Sequence, residues 1–324
     1  MQEQQQEHWS KIEERGSVLG MKCLFFIYRL LGRYVLWVFL FPVVLYFYLT
    51  GTKARKASKV FLTKVLQLNS GNKNVTATSW QGLKHFCQFA DSAFDKLDAW
   101  LGKITAEQVI YNDANVMKNI AVQGKGAIFI GSHLGNLEVC RALSYGRYAT
   151  KINVLVFTEN AVKFNRLLNK TNPNVMVNLI QVTSINPAMA INLKEKVDAG
   201  EIIVIVGDRT SVTVEGRVIY QPFLETSAPF AQGPFILAAL LNCPVYWLFC
   251  LKEKQHFKVI FEHVSDGIEL PRKQRQAVLS QLVADYATRL GYYAQQYPYQ
   301  WFNFFDFWQS DKAVKRKLES GVEQ

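Results

Sequence analysis

The sequence predicts an α/β fold, a mostly parallel sheet flanked by helices, behind one N-terminal membrane-anchoring helix. Three observations carry this. From about residue 125, short β-rich runs alternate with helical stretches, the pattern of strands joined by helical crossovers. One segment near the N-terminus is long, apolar and uncharged. And 324 residues, 49% hydrophobic and 13% aromatic, are ample for a large core. The same composition excludes a disordered chain or a coiled coil, and a single long apolar run excludes a many-span transporter. The net charge of +11 implies an anionic partner: nucleic acid, an acidic membrane surface, or an acidic protein or substrate.

Residues 1–22 read as a polar N-terminal segment and 23–50 as the anchor helix. Tyr34 to Leu49, YVLWVFLFPVVLYFYL, carries no charge and is dense in Tyr and Trp, as at membrane interfaces. Extending back to Cys23 takes in Arg29 and Arg33, which share a helix face and can snorkel to the interface. Pro42 is a site for a kink. A buried core helix, or a re-entrant or interfacial one, is the alternative reading. A signal peptide fits poorly, because a polar stretch precedes the run and no small-residue cleavage site follows it. Lys53, Arg55, Lys56, Lys59 and Lys64 follow it with no acid among them, which favours a cytoplasmic main domain over 51–324.

That domain opens with a basic helical stretch at 52–69 and a turn-rich stretch at 69–79. A helix over 80–101 follows, with apolar positions at Trp80, Leu83, Phe86, Cys87, Ala90, Phe94 and Leu97. That face suits the core or, through its aromatics, lipid. Strands are expected at Ala127–Ile130, Ile152–Phe157, Ile202–Val206, Val245–Cys250 and Phe257–Phe261. Helices are expected at 137–147, 160–168, 187–198, 232–242 and 272–296. The five cysteines, Cys23, Cys87, Cys140, Cys243 and Cys250, are odd in number and never in a C-x-x-C pair. They read as buried small hydrophobes in a reducing compartment, not as disulfides or a zinc site.

No phosphate-binding loop, H-E-x-x-H or G-x-S-x-G is present, and no cofactor or metal is expected. Nucleic-acid binding would rest on charge alone, so no nucleic acid is expected as a partner. What remains is GAIFIGSHLGNLEVCRAL at 126–143. A β-run ends at Gly131-Ser132, His133 follows at the strand's carboxyl end, and Gly135 and Asn136 break the chain. Asn136 suits an N-cap, and Glu138 falls in the first turn of the next helix. Ligands of open α/β sheets bind at such strand ends. The His-x4-Glu spacing alone is weak, since His8 and Glu13 repeat it in the polar tail. The context favours His133. A histidine there can take a proton from a hydroxyl, and a carboxylate on its far nitrogen fixes the tautomer and steadies the imidazolium. The substrate's own hydroxyl then serves as nucleophile. The bland alternative is a capping histidine and a surface glutamate.

With these residues in view, the chain resembles the bacterial lysophospholipid acyltransferase-like superfamily, and most closely its lipid A late-acyltransferase branch. His133–Glu138 matches that family's H-x4-D/E motif. IVIVGDRT (203–210) matches its strand and acidic-Arg turn. QPFLETSAPFAQGPFILAALLNCPVYWLF (221–249) is similar to its Phe-Leu-Gly, Ala-Pro-Phe, Gly-Pro and Pro-Val block, and PYQWFNFFDFW (298–308) to its closing aromatic block. HWSKIEERGS (8–17) and YRLLGRYV (28–35) resemble a subgroup of predicted acyltransferases. The likeness spans nearly the whole chain. Two departures stand out: Phe223-Leu224-Glu225 replaces Phe-Leu-Gly, and the closing block differs from the family's P-E-Q-Y-x-W. They leave the acceptor open between a lipid A precursor and other glycolipid or polyene-type lipids.

The resemblance implies a glycerolipid acyltransferase-like fold and a bacterial inner-membrane enzyme with no cofactor, using acyl carrier protein or coenzyme A thioesters as co-substrate. A membrane lipid is the acceptor, and acyl carrier protein is the expected protein partner. His133 is the general base and Glu138 orients it; the alternatives are an acyl-thioester or lipid hydrolase using water in the same site, and a non-catalytic membrane-surface scaffold. Backbone amides near Gly207 or Arg209 are candidate oxyanion donors, and Arg209 a candidate anion-binding residue. Asp208 holds Arg209 or caps the turn, and Asn136 joins them as substrate-binding. Arg217, in Glu215-Gly216-Arg217, reads as a hairpin residue. Trp301, Phe302, Phe304, Phe305, Phe307 and Trp308 line an acyl groove, rest on the bilayer or fill the core. Lys312, Lys315, Arg316 and Lys317 read as a solvated face, or one that meets acidic lipid heads or the carrier protein.

Overall fold

The computed structural model of the protein describes residues 18–137, 139, 150–156, 177–182, 187–209 and 218–308. The chain enters through α1 (Val18–Thr50), α2 (Thr52–Ser70) and α3 (Ser79–Trp100). Then come β1 (Val109–Tyr111), α4 (Asn115–Gln123), β2 (Ile128–Gly131), β3 (Ile152–Val156), β4 (Val177–Gln181), α5 (Pro187–Asp198) and β5 (Ile202–Val206). A hairpin of β6 (Val218–Phe223) and β7 (Thr226–Ala231) leads to α6 (Gly233–Leu241), β8 (Val245–Glu253), β9 (His256–Ser265) and α7 (Arg275–Gln296).

The main sheet has seven strands in the order β1-β9-β8-β2-β5-β3-β4. Four of its ladders, β8·β2, β2·β5, β5·β3 and β3·β4, run parallel, as does β1·β9. The β8·β9 hairpin is antiparallel, so the sheet is mixed. Its inner strands are buried on both faces, and alternate residues serve two cores. Ile128, Ile130, Ile203, Ile205, Trp247 and Phe249 face one cluster, with Leu193 of α5, Phe235 of α6 and Tyr286 of α7. Phe129, Ile202, Val204, Leu248 and Cys250 face the other, with Val116 and Ile120 of α4. Helices on both faces are what a two-sided apolar strand requires.

The expected helices at 52–69, 80–101, 187–198, 232–242 and 272–296 are present within three residues at each end. So are the five expected strands, β8 and β9 being longer than their apolar cores. Of the helix expected at 137–147 only Leu137 and Val139 are described, both helical, and the one at 160–168 lies outside the described residues. Among the described residues four strands come in addition: β1, β4, β6 and β7.

Gly32, at φ +74, breaks the path of α1. From Gly32 to Thr50 the helix is 19 residues long, apolar enough and long enough to cross a membrane. It is not a lone rod. Leu36, Val44 and Tyr48 are buried and, with the partly buried Leu40, form a stripe of four-residue spacing packed on α3 through Phe86, Phe94 and Leu97. The opposite face, with Tyr34, Val38, Phe39, Tyr46, Phe47 and Leu49, is open. Arg33 corrects one expectation. Its guanidinium does not reach outward but pairs with Asp91 at 2.6 Å and Asp95 at 2.8 Å on α3. Lys252 of β8 joins the same carboxylates at 3.0 and 2.8 Å, tying α1 and α3 to the sheet. A charge whose partners are inside the fold has no reason to snorkel.

Candidate active site

β2 and β5 are adjacent and parallel, with Gly131 opposite Val206. Their carboxyl ends therefore deliver His133 and Asp208 to one place, two residues beyond each strand. The loop after β2 is held on both sides. Leu134 bridges to Trp301 and Gly135 to Cys250. The Gly135 amide donates to the Gln300 carbonyl and the Asn136 amide to that of Cys250, both at 2.8 Å. Gly135 sits at φ +79, and a Cβ there would lie 1.9 Å from the Cys250 oxygen, so only glycine allows this approach. The His133 carbonyl accepts from the Phe302 amide at 3.0 Å.

Asp208 is 1% exposed and meets three donors. Its Oδ1 lies 2.8 Å from His133 Nδ1. Its Oδ2 accepts from the His133 backbone amide at 2.8 Å and from the Trp301 indole N–H at 3.0 Å. Burial alone would raise this carboxyl, but the His133 ring and its N–H groups, with the Arg209 charge, hold it below the ordinary carboxylate range. An ionised Asp208 can only accept, so Nδ1 carries the proton and Nε2 a lone pair. Arg209 Nε lies 3.4 Å from that Nε2. Burial, and then the Arg209 charge, lower the His133 pKa from its ordinary 6.5, against the pull of Asp208. The imidazole is thus neutral at pH 7, with its side chain 35% exposed and its basic nitrogen turned away from the carboxylate.

Trp301 is itself fixed. Its carbonyl accepts from His85 Nε2 at 3.0 Å, and His85 Nδ1 accepts from the Ser58 hydroxyl at 2.9 Å. Burial holds His85 neutral, its pKa pushed down to about 4. A chain of hydrogen bonds thus runs from α2 and α3 through Trp301 and Asp208 to His133.

Asp208, expected to hold Arg209 or cap its turn, grips His133 instead. Arg209 stacks over Phe305, 4.8 Å from the ring centroid, beside the imidazole. The Gly207 amide, a candidate oxyanion donor, extends the sheet by donating to the Gly131 carbonyl at 2.9 Å. Asn136 Nδ2 is turned to the Ser92 carbonyl of α3 at 3.0 Å, which fastens the loop to that helix. Glu138, Cys140, Arg217 and the C-terminal Lys312, Lys315, Arg316 and Lys317 lie outside the described residues. In the closing segment Trp301, Phe307 and Trp308 are core, whereas Phe302, Phe304 and Phe305 are half-buried. Among the described residues no group of three His, Cys, Asp or Glu side chains comes together as a metal-binding set.

The arrangement is a base with a carboxylate behind it and a cation beside it. It can take a proton at Nε2, stabilise the imidazolium through Asp208, and bind or stabilise negative charge through Arg209. Compared with known protein families and with curated proteins, the chain matches none.

Proposed function

We propose that the protein is a membrane-anchored acyltransferase of the kind its sequence resembles. It moves a fatty acyl group from an acyl thioester, on acyl carrier protein or coenzyme A, to a hydroxyl of a lipid or glycolipid acceptor at the cytoplasmic face of a bacterial inner membrane. The observation that supports this best is the Asp208–His133 pair at the ends of two adjacent parallel strands, with Nε2 beside Arg209. A neutral histidine buttressed by a carboxylate suits proton removal from a hydroxyl. The apolar outer face of α1 supplies the contact with a bilayer.

In this reading the acceptor hydroxyl takes the place of the Arg209 N–H at Nε2. Its proton passes to His133 as its oxygen bonds to the thioester carbon, and Asp208 steadies the imidazolium. The tetrahedral intermediate then collapses, the carbon–sulfur bond breaks, and the imidazolium returns the proton to the departing thiolate. Arg209, still stacked on Phe305, takes an anionic group of the acceptor such as a phosphate. The test is transfer by the purified protein in detergent, from labelled palmitoyl thioesters of both carriers, to lipids extracted from the host membrane. Label is expected in a lipid product with wild type and not with His133→Ala. Release of free palmitate with no lipid product would instead mean a thioester hydrolase.

A further inference from the structure

Among the described residues one buried side chain has polar atoms without any hydrogen-bond partner. It is Asn303, 2% exposed, whose Nδ2 and Oδ1 are both unmatched. An unmatched buried amide is destabilising, and such groups survive where something other than the fold completes them. The position is specific. Its own backbone amide donates to the Trp301 carbonyl at 2.8 Å, and the amide of Phe302 holds the His133 carbonyl. On one side of it Trp301 grips Asp208; on the other, the Phe305 ring carries the Arg209 guanidinium. Phe302 and Phe304 turn instead to His85 and Phe89 of α3. Asn303 therefore lies in a stretch of chain whose residues contact all three of His133, Asp208 and Arg209.

We infer that Asn303 binds the acyl-phosphopantetheine arm of the donor, its Nδ2 donating to the thioester carbonyl oxygen. This rests on the acyl-transfer reading. An acyl thioester of either carrier presents a carbonyl oxygen and, a short ethylene link beyond the sulfur, an amide N–H. The first is an acceptor for Nδ2 and the second a donor for Oδ1, the two groups Asn303 lacks. As the acceptor oxygen bonds to the carbonyl carbon, the carbonyl oxygen gains the negative charge and the Nδ2 bond strengthens. The Gly207 amide, already bonded to Gly131, does not serve that oxygen.

The test compares two inert analogues, each on coenzyme A and on acyl carrier protein. One is a palmitoyl ketone, with a methylene inserted between sulfur and carbonyl; the other is a hexadecyl thioether, which lacks the carbonyl. Wild type is expected to bind the ketone about fivefold more tightly or better, the margin of one buried hydrogen bond. Asn303→Leu, similar in size, should bring that ratio to about one, with thioether affinity falling several-fold through loss of the Oδ1 bond to the amide N–H, and with the melting temperature unchanged or improved. Asn303→Ala replaces it if the leucine variant does not fold. A ratio that persists in the folded variant, or no ketone preference in wild type, overturns the inference and leaves the acyl-transfer reading standing. Wild type that binds neither analogue on either carrier overturns both. The carrier that binds identifies the donor.

Discussion

His133, Asp208 and Trp301 form one unit, and its parts are separable by substitution. Asp208→Asn keeps the shape but offers an amide to Nδ1, favouring the wrong tautomer. The turnover rate should fall about 10²–10⁴-fold with little change in melting temperature, measured by thioester turnover and thermal denaturation. The proposed base must be neutral, and the His133 pKa is lowered, so turnover should rise with pH through a midpoint below 6.5 and be flat above it. Trp301→Phe removes the indole N–H from Asp208 and leaves more of the carboxylate's charge for the imidazolium. The acid limb of the rate profile should then move upward, a shift that loss of packing alone does not give. His133 was legible because strand, glycines and cap surround it in a short stretch of sequence. Asp208 was legible only as an acidic turn, because its partner lies 75 residues away and no local spacing joins them. Trp301 lies 93 residues from Asp208 in a segment rich in aromatic residues, so nothing in the sequence separated the ring that reaches the carboxylate from those that fill the core.

At the scale of elements, strands with a continuous apolar run were legible and the others were not. β4, VNLIQ, is an edge strand with Asn178 and Gln181 in it, and β1 has three residues. β6 and β7 each contain a proline, Pro222 and Pro229, which speaks against strand in a sequence. Both fit because a two-stranded sheet is all edge and proline is tolerated there. The turn between them places Leu224 at φ +49 and Glu225 at φ +58, a tight hairpin that favours glycine. Glu225→Gly should therefore stabilise the protein by about 0.5–1 kcal/mol, read as a higher denaturation midpoint; a lower one would mean that the Glu225 side chain holds the hairpin. The long apolar helix was legible by composition, but its two faces were not, since an apolar residue left open and one turned to α3 look alike.

Over the whole molecule, α1 divides those faces sharply. Val38 is 70% exposed and Phe39 64%, while Leu36, two positions away, is buried. Val38→Glu with Phe39→Glu should shift the protein from the membrane fraction toward the soluble one while its melting temperature stays within a few degrees. Leu36→Glu should instead lower stability, by burying a charge against Phe94 and Leu97. The α3 helix joins this layer to the site: it carries Asp91 and Asp95 toward Arg33 and Lys252, Ser92 toward Asn136, and His85 toward Trp301. The open apolar face of α1 and the His133 loop are thus braced by one element, an arrangement that suits the proposed chemistry on an acceptor held in a bilayer. The most direct test is mass spectrometry of total lipid from cells lacking the gene, complemented with wild type, His133→Ala or Asp208→Asn. The expected result is a lipid that loses the mass of one acyl chain in the deletion and regains it with wild type alone. Restoration by His133→Ala as complete as by wild type would contradict the assignment of His133 as the base, and with it the acyl-transfer function.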